Sequence, residues 1–237
     1  MISAHRLQKS FGPRRVLNGL DLVAEAGVIT LLVGRNGAGK TTALRLLAGL
    51  AAADGGTISV EGHDLESDRR QALARLSFLP QAPRFHPRLT AIQVAQFHAQ
   101  LRGREPGAAR AALEAWGLTG YATVPTGKLS GGLRQRLALA VFALADAPVL
   151  LLDEPGLSLD PAWRHQLQQF LVERARAGCV VLVATHLLGE WEGQTDRCVL
   201  LADGQYAGEL SPGQLRDAFL SGADPKTENK NEGVVCA

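Results

Sequence analysis

The sequence predicts an α/β fold: a mostly parallel sheet covered by helices on both faces, with an N-terminal antiparallel β part and an inserted helical subdomain. Three observations predict it. Residues 28–33, 149–152 and 179–185 are short, continuous apolar runs of the kind buried on both faces of a parallel sheet. Helical stretches stand between these runs, and strands alternating with helices assemble into layered parallel sheets. From about residue 83 to 127 the β pattern fades and helical stretches replace it.

In order along the chain, residues 2–8 and 16–24 alternate loosely and read as strands. The run 28–33 ends in Gly34-Arg35-Asn36-Gly37-Ala38-Gly39, a turn that neither a strand nor a helix could absorb. A helix is expected over 40–50, with Leu44, Leu46, Leu47 and Leu50 available for packing. Gly55-Gly56 punctuates, residues 57–61 form a further strand, and 76–79 a short one stopped by Pro80. Helices are expected over 90–101 and 107–116. Ser130 caps a long helix reaching about 145, because a serine hydroxyl can accept from the free amides of a first turn. Pro161 opens a helix to 177, as proline suits the first helical position. Residues 197–202 and 205–210 pair as a hairpin around Asp203-Gly204. Residues 1–222 are therefore expected as one domain with the helical subdomain at about 83–145, and 223–237 as a polar, flexible tail.

Composition narrows the function classes. Among 237 residues, 46% are hydrophobic and 20% charged, an ordinary soluble globular mixture. A net charge of +2 supplies no basic field for nucleic acid, so no nucleic-acid partner is expected. Cys179, Cys198 and Cys236 are scattered without a metal or disulfide spacing. The longest apolar stretch, 137–152, is broken by Asp146 and Pro148, whereas a membrane span needs ~20 largely apolar residues. The first nine residues carry His5, Arg6 and Lys9 with no apolar core behind them, unlike a signal peptide. Membrane work by this chain would need another polypeptide to hold it there.

Three motifs carry chemistry. Gly34 to Thr41 fits G-x-x-x-x-G-K-[ST] at every fixed position. Its glycines let backbone N–H groups point inward at phosphate oxygens, and the following helix adds its positive end. Lys40 can reach the terminal phosphates and the Thr41 hydroxyl can ligate Mg²⁺. Leu150-Leu151-Leu152-Asp153-Glu154 is an apolar strand ending in two carboxylates, and the carboxyl ends of strands are where ligands collect in an α/β sheet. Asp153 is placed to face the Mg²⁺, and Glu154, leaving the strand in the opposite direction, to orient or deprotonate an attacking water. Ser130-Gly131-Gly132 opens a helix and is itself an anion site by the same amide and dipole argument. Alone, each of the last two would mean only a strand meeting its loop and a capped helix; their order makes the combination specific.

Together these motifs resemble the ABC ATPases, a branch of the P-loop NTPases, over about residues 2–220. The resemblance implies two such domains paired head to tail, each ATP held between one subunit's phosphate loop and the other's Ser-Gly-Gly helix. Carried over residue by residue, it implies that Phe11 stacks on adenine and that Gly34, Asn36, Gly37, Gly39, Lys40, Thr41 and Thr42 bind the nucleotide. Ser130, Gly131, Gly132 and Asp160 would act from the dimer-facing side, Asp160 within the Ser158-Leu159-Asp160 loop that crosses between subunits. Gln81 would join the Mg²⁺ and water shell and His186 would be the switch histidine at the end of the last core strand, both counted with Lys40 and Glu154 as catalytic. Leu133 stands where the family often has glutamine. Gly156 stands where threonine or serine often follows the proline, which should leave that loop more flexible.

The resemblance further implies ATP hydrolysis driving separate polytopic membrane subunits, a homodimer of ATPase subunits, and a cytoplasmic position on the inner face of the cell membrane. Residues 79–81, 87–90 and 99–103 look most like exporters of the ABC-2 kind, and the stretch 76–103 like the copper-processing ATPases of nitrous-oxide reductase maturation. The other class considered is a soluble ABC ATPase acting on a macromolecular complex. Translation-type members carry two ATPase domains, and this chain shows one phosphate loop. DNA-repair members insert a long coiled coil, and residues 42–129 show no sustained heptads.

Overall fold

The computed structural model describes residues 1–186, 191, 193–210 and 214. Strands β1 (Ile2–Phe11) and β2 (Arg14–Ala24) form a hairpin, and β3 (Ile29–Val33) runs into α1 (Lys40–Leu47). Then come β4 (Gly55–Val60), β5 (His63–Asp64), α2 (Arg69–Ala74) and β6 (Leu76–Leu79). The helical stretch contains α3 (Ala91–Leu101), α4 (Ala108–Ala115) and α5 (Gly131–Leu144). The chain returns to the sheet with β7 (Val149–Asp153), α6 (Pro161–Arg176), β8 (Val180–Ala184) and the hairpin β9 (Arg197–Ala202) and β10 (Gln205–Leu210).

Two sheets result. The N-terminal one is antiparallel, in the order β2-β1-β4-β5. The second has the order β10-β9-β3-β8-β7-β6 and is parallel throughout except for β10, which returns antiparallel on β9. The expected mixed α/β architecture is what the chain adopts.

The continuous apolar runs have a direct physical cause, because the large sheet is buried on both faces. Along β7, Leu150 and Leu152 enter one core and Val149 and Leu151 the other. Along β8, Val181 and Val183 divide in the same way from Val180, Leu182 and Ala184. Successive strand residues point to opposite faces, so a strand between two cores is built mainly of apolar side chains, with the buried Thr30 of β3 standing among them. One core joins the sheet to α3, α4, α5 and α6; the other joins it to α1 and the antiparallel sheet. The first core runs without interruption from Leu150 and Leu152 to Ala95 and Leu113 in the helical subdomain.

Local signals placed most element ends. Thr90 caps α3 with a reciprocal capping box to Gln93, Ser130 accepts from Leu133 N–H at 3.2 Å, and Asp160 caps α6 ahead of Pro161. The helix expected over 40–50 stops at Leu47, because Gly49 takes a left-handed φ of 67° that unwinds the last turn. β5 and α2 were not foreseen. Two and six residues are too short to show a period, and their place is set by pairing with β4 and by contacts such as Arg69 Nη2 to Gly49 O. The tail expected at 223–237 lies outside the described residues.

Candidate phosphate-binding cleft

β3 delivers its end into the glycine loop, and three glycines shape the path of that loop. Gly34 (φ 155°) passes so close to β9 that a Cβ there would lie 2.3 Å from the Leu201 carbonyl oxygen. Gly39 (φ 109°) is the N-cap of α1, with space for a Cβ closed by Leu17 at 2.8 Å. Gly37 also sits at positive φ, 85°. Such backbone is open to glycine and strained for other residues. Lys40 folds back over the loop and donates to Gly34 O at 2.7 Å and to Arg35 O at 3.3 Å. Burial pushes its ammonium below the usual lysine range, opposed by the Glu154 and Asp153 carboxylates.

β7 brings the two carboxylates to the same place. Asp153 is buried and accepts from the Thr41 hydroxyl at 3.2 Å. Its carboxyl is raised above the ordinary aspartate range, first by burial, with the Thr41 hydrogen bond acting against that. Glu154 leaves the strand in the left-handed region, φ 47°. That conformation, rather than simple strand alternation, sets its direction; for a residue with a side chain it costs about 1–2 kcal/mol. The Glu154 amide donates to Ala184 O at 2.8 Å, which ties the turn to β8. The carboxylate meets His186 twice, at 2.9 Å from Nδ1 and 3.3 Å from the backbone amide.

The resulting cleft measures about 420 Å³, within the range of small-molecule sites. Phe11, Asn36, Gly37, Gly39, Lys40, Thr41, Thr42, Gln81 and Glu154 line it, with Asp153 and His186 in contact with Thr41 and Glu154. Phe11 is 57% exposed, an aromatic face left open to a ligand. Lys9 stands 5.5 Å from its ring centroid and is held by Asp54 at 2.8 Å. That lysine, with the Ser10 amide, keeps the Asp54 carboxyl below its usual range.

Two lining residues, Arg14 and Val16, escaped sequence reasoning. Arg14 pairs with Phe11 across the β1–β2 turn, and its guanidinium lies 3.5 Å from where a Gly37 Cβ would stand. The available signal was Gly12-Pro13, a turn that returns Arg14 to the end of the hairpin carrying Phe11.

Four expected residues lie apart from this cleft. Ser130 and Gly131 are exposed at the start of α5, Gly132 sits against Ser158 O, and Asp160 caps α6 by accepting from Trp163 N–H at 3.2 Å. Gln135, which the motif pattern does not single out, is buried and donates to Pro155 O at 3.0 Å, joining α5 to the turn after Glu154. Leu133 packs its side chain against the adjoining core. The loop containing Gly156 is closed by Leu159 N–H to Gly156 O at 3.0 Å.

The phosphate loop, the Asp153-Glu154 strand and the Ser-Gly-Gly helix thus stand on a two-core α/β frame, and residues 17–156 match the family model described as ABC transporter. The chain belongs to the ABC transporter family. As an ABC ATPase it binds and hydrolyses ATP. It is 35% identical to a Nod factor export ATP-binding protein I of Burkholderia lata, over 95% of this chain and 78% of that protein. It is 34% identical to a daunorubicin resistance ATP-binding protein of Streptomyces coeruleorubidus, over 94% of this chain and 70% of that one. Among solved structures, an ATP-binding subunit of an ABC transporter superposes with a TM-score of 0.83 at 26% identity, covering 95% of this ABC ATPase and 96% of that chain. A dimeric ATP-binding cassette bound to ADP and Pi has the same fold, TM-score 0.81 at 23% identity, over 90% of this chain and 99% of that one.

Proposed function

We propose that this ABC ATPase is the motor of an exporter, that it pairs head to tail with a second copy around two ATP molecules, and that it drives separate polytopic membrane subunits from the cytoplasmic face. The observation that carries the reading is the Glu154–His186 pair, held in the cleft that also presents Lys40 and the Thr41–Asp153 contact. In the single chain Ser130, Gly131, Gly132 and Asp160 lie outside that cleft, which accords with their serving a neighbour's nucleotide. The exporter direction is supported by the relatives named for Nod factor export and daunorubicin resistance. The copper-processing subgroup suggested by residues 76–103 finds no match in those names. No helix among the described residues is long and apolar enough to cross a membrane, so in this reading the membrane subunits are other chains.

Mg²⁺ fits the donor set. The Thr41 hydroxyl and Asp153 carboxylate already converge, and Gln81 lines the same cleft with a further oxygen; hard oxygen donors suit this cation. When bound it would neutralise phosphate charge. The chain's own residues do the rest: Lys40 and the loop amides hold the phosphates, Phe11 holds the base, and Glu154 accepts a proton from the attacking water. His186 keeps the Glu154 carboxylate aimed into the cleft.

The test is Glu154→Gln. Turnover should fall by roughly 10²-fold or more, the scale of a lost general base, while ATP binding persists and ATP converts the protein from monomer to stable dimer in sedimentation. Normal hydrolysis by the variant would refute Glu154 as the base. Recovery of a polytopic membrane protein with the tagged variant from solubilised membranes, in ATP, would bear out the motor role; its absence would argue for a soluble ABC ATPase.

A further inference from the structure

Ser130 and Asp160 cap different helices, α5 and α6, and one residue near the start of α6, Trp163, contacts Asp160 through its backbone and α5 through its ring. Trp163 stands in the first turn of α6, and its amide donates to the Asp160 carboxylate at 3.2 Å. Over its ring lies the Arg136 guanidinium, 4.4 Å from the ring centroid, on the α5 helix that Ser130 caps. The same ring packs on Trp116, centroids 6.3 Å apart, and Trp116 meets Phe170 of α6 edge-on at 5.8 Å. Gly117 completes the stack. It has φ +61°, and a Cβ there would fall 2.5 Å from the Trp163 ring and 3.0 Å from Arg136.

Indole, guanidinium and bare backbone therefore form one contact between the helical subdomain and the core. It sits at the start of α6, beside the Asp160 cap. Two other contacts align with it: Gln135 to Pro155 O, and Gly132 against Ser158 O. Neither Trp163 nor Arg136 lines the phosphate cleft.

We propose that Trp163 and Arg136 are positioning residues that hold the Ser130-Gly131-Gly132 helix start and Asp160 in one fixed relation, so that both meet the second subunit's nucleotide together. The proposal rests on the two-subunit reading above. A cation lying over an indole face is favoured in one geometry and weakened by rotation away from it, so the pair resists relative turning of α5 and α6. Its loss should spare ATP binding at the chain's own cleft and weaken ATP-driven pairing.

The test compares Trp163→Ala, Trp163→Phe and Arg136→Gln, each with native Glu154 and in the Glu154→Gln background. A fluorescent ATP analogue at low protein concentration reads binding to the monomer, and sedimentation against ATP concentration reads pairing. In the expected result, monomer affinity changes less than twofold for every variant. Trp163→Ala and Arg136→Gln need about tenfold more ATP for half-maximal pairing, and Trp163→Phe recovers most of the loss. With native Glu154, the apparent KM rises by a similar factor while kcat at saturating ATP stays within about twofold.

Unchanged pairing in Arg136→Gln, which leaves the aromatic packing in place, would overturn the proposal even if Trp163→Ala fails to fold. So would an equal loss of monomer ATP binding, which would mark the contact as merely structural. If Glu154→Gln itself does not pair in ATP, the two-subunit reading fails, and this proposal with it.

Discussion

Single residues set the chemistry through contacts that their neighbours in sequence do not explain. Glu154 owes its aim to a left-handed φ and to His186, 32 positions later. Lys40 is held inside its loop by two carbonyl oxygens, so its charge is already placed where phosphate would sit. Arg14 makes the same argument from the other wall of the cleft. Its guanidinium hangs beside Gly37, where it can reach an anionic ligand with charge-assisted hydrogen bonds. Arg14→Ala should weaken ATP binding about three- to tenfold, the loss of one partly exposed contact of roughly 1 kcal/mol. Calorimetric titration checks it, and the gap to the native protein should narrow as salt is raised.

At the level of elements, caps decide where helices begin and buried faces decide where they lie. In α3, Thr90 accepts from Gln93 N–H while the Gln93 side chain accepts from Thr90 N–H. Both orphan amides of that turn are satisfied by residues three apart, and the helix then presents Ala91, Val94, Ala95 and Ala99 to the core. Thr90→Ala should cost about 1 kcal/mol of stability, read as a lower urea midpoint with an unchanged slope. ATPase activity at low temperature should stay near normal, because neither partner lines the cleft. In α1 the opposite priority holds. Its start has no side-chain cap, since Gly39 is there for the loop's geometry and the first residues of the helix, Lys40 to Thr42, line the cleft.

At the scale of the whole molecule, the cleft is built where both sheets meet. Phe11 and Arg14 come from the antiparallel sheet, Lys40 and Thr41 from the first turn of α1, and Glu154 from just past the end of β7. A ligand bound there holds together elements of both cores, so binding should stabilise the folded state as a unit. ATP with Mg²⁺ at about a hundred times its dissociation constant should add about 2.7 kcal/mol and raise Tm by about 5–10 °C. Thermal unfolding checks this. Lys40→Ala should abolish most of the shift, and a chelator should reduce it in the native protein.

The sequence by itself determined the α/β class, nearly every strand, the Ser130 cap of α5, the Pro161 start of α6, and the three motifs. All of these are local: a doubly buried strand is mostly apolar, a cap needs one hydroxyl or carboxylate, and a phosphate loop needs glycines at fixed spacing. The tertiary structure alone decided what those motifs meet. It brought Arg14 and Val16 to the cleft, set His186 on Glu154, and left Ser130 and Asp160 outside it. It also placed β5 and α2, which are too short to carry a period, and stacked Arg136 on Trp163 against Gly117. Such contacts join residues far apart in the chain, 32 positions for Glu154 with His186 and 112 for Thr41 with Asp153, and no local pattern encodes them. They exist because two cores share one sheet, and burying that sheet on both faces leaves the chain one way to bring its strand ends together.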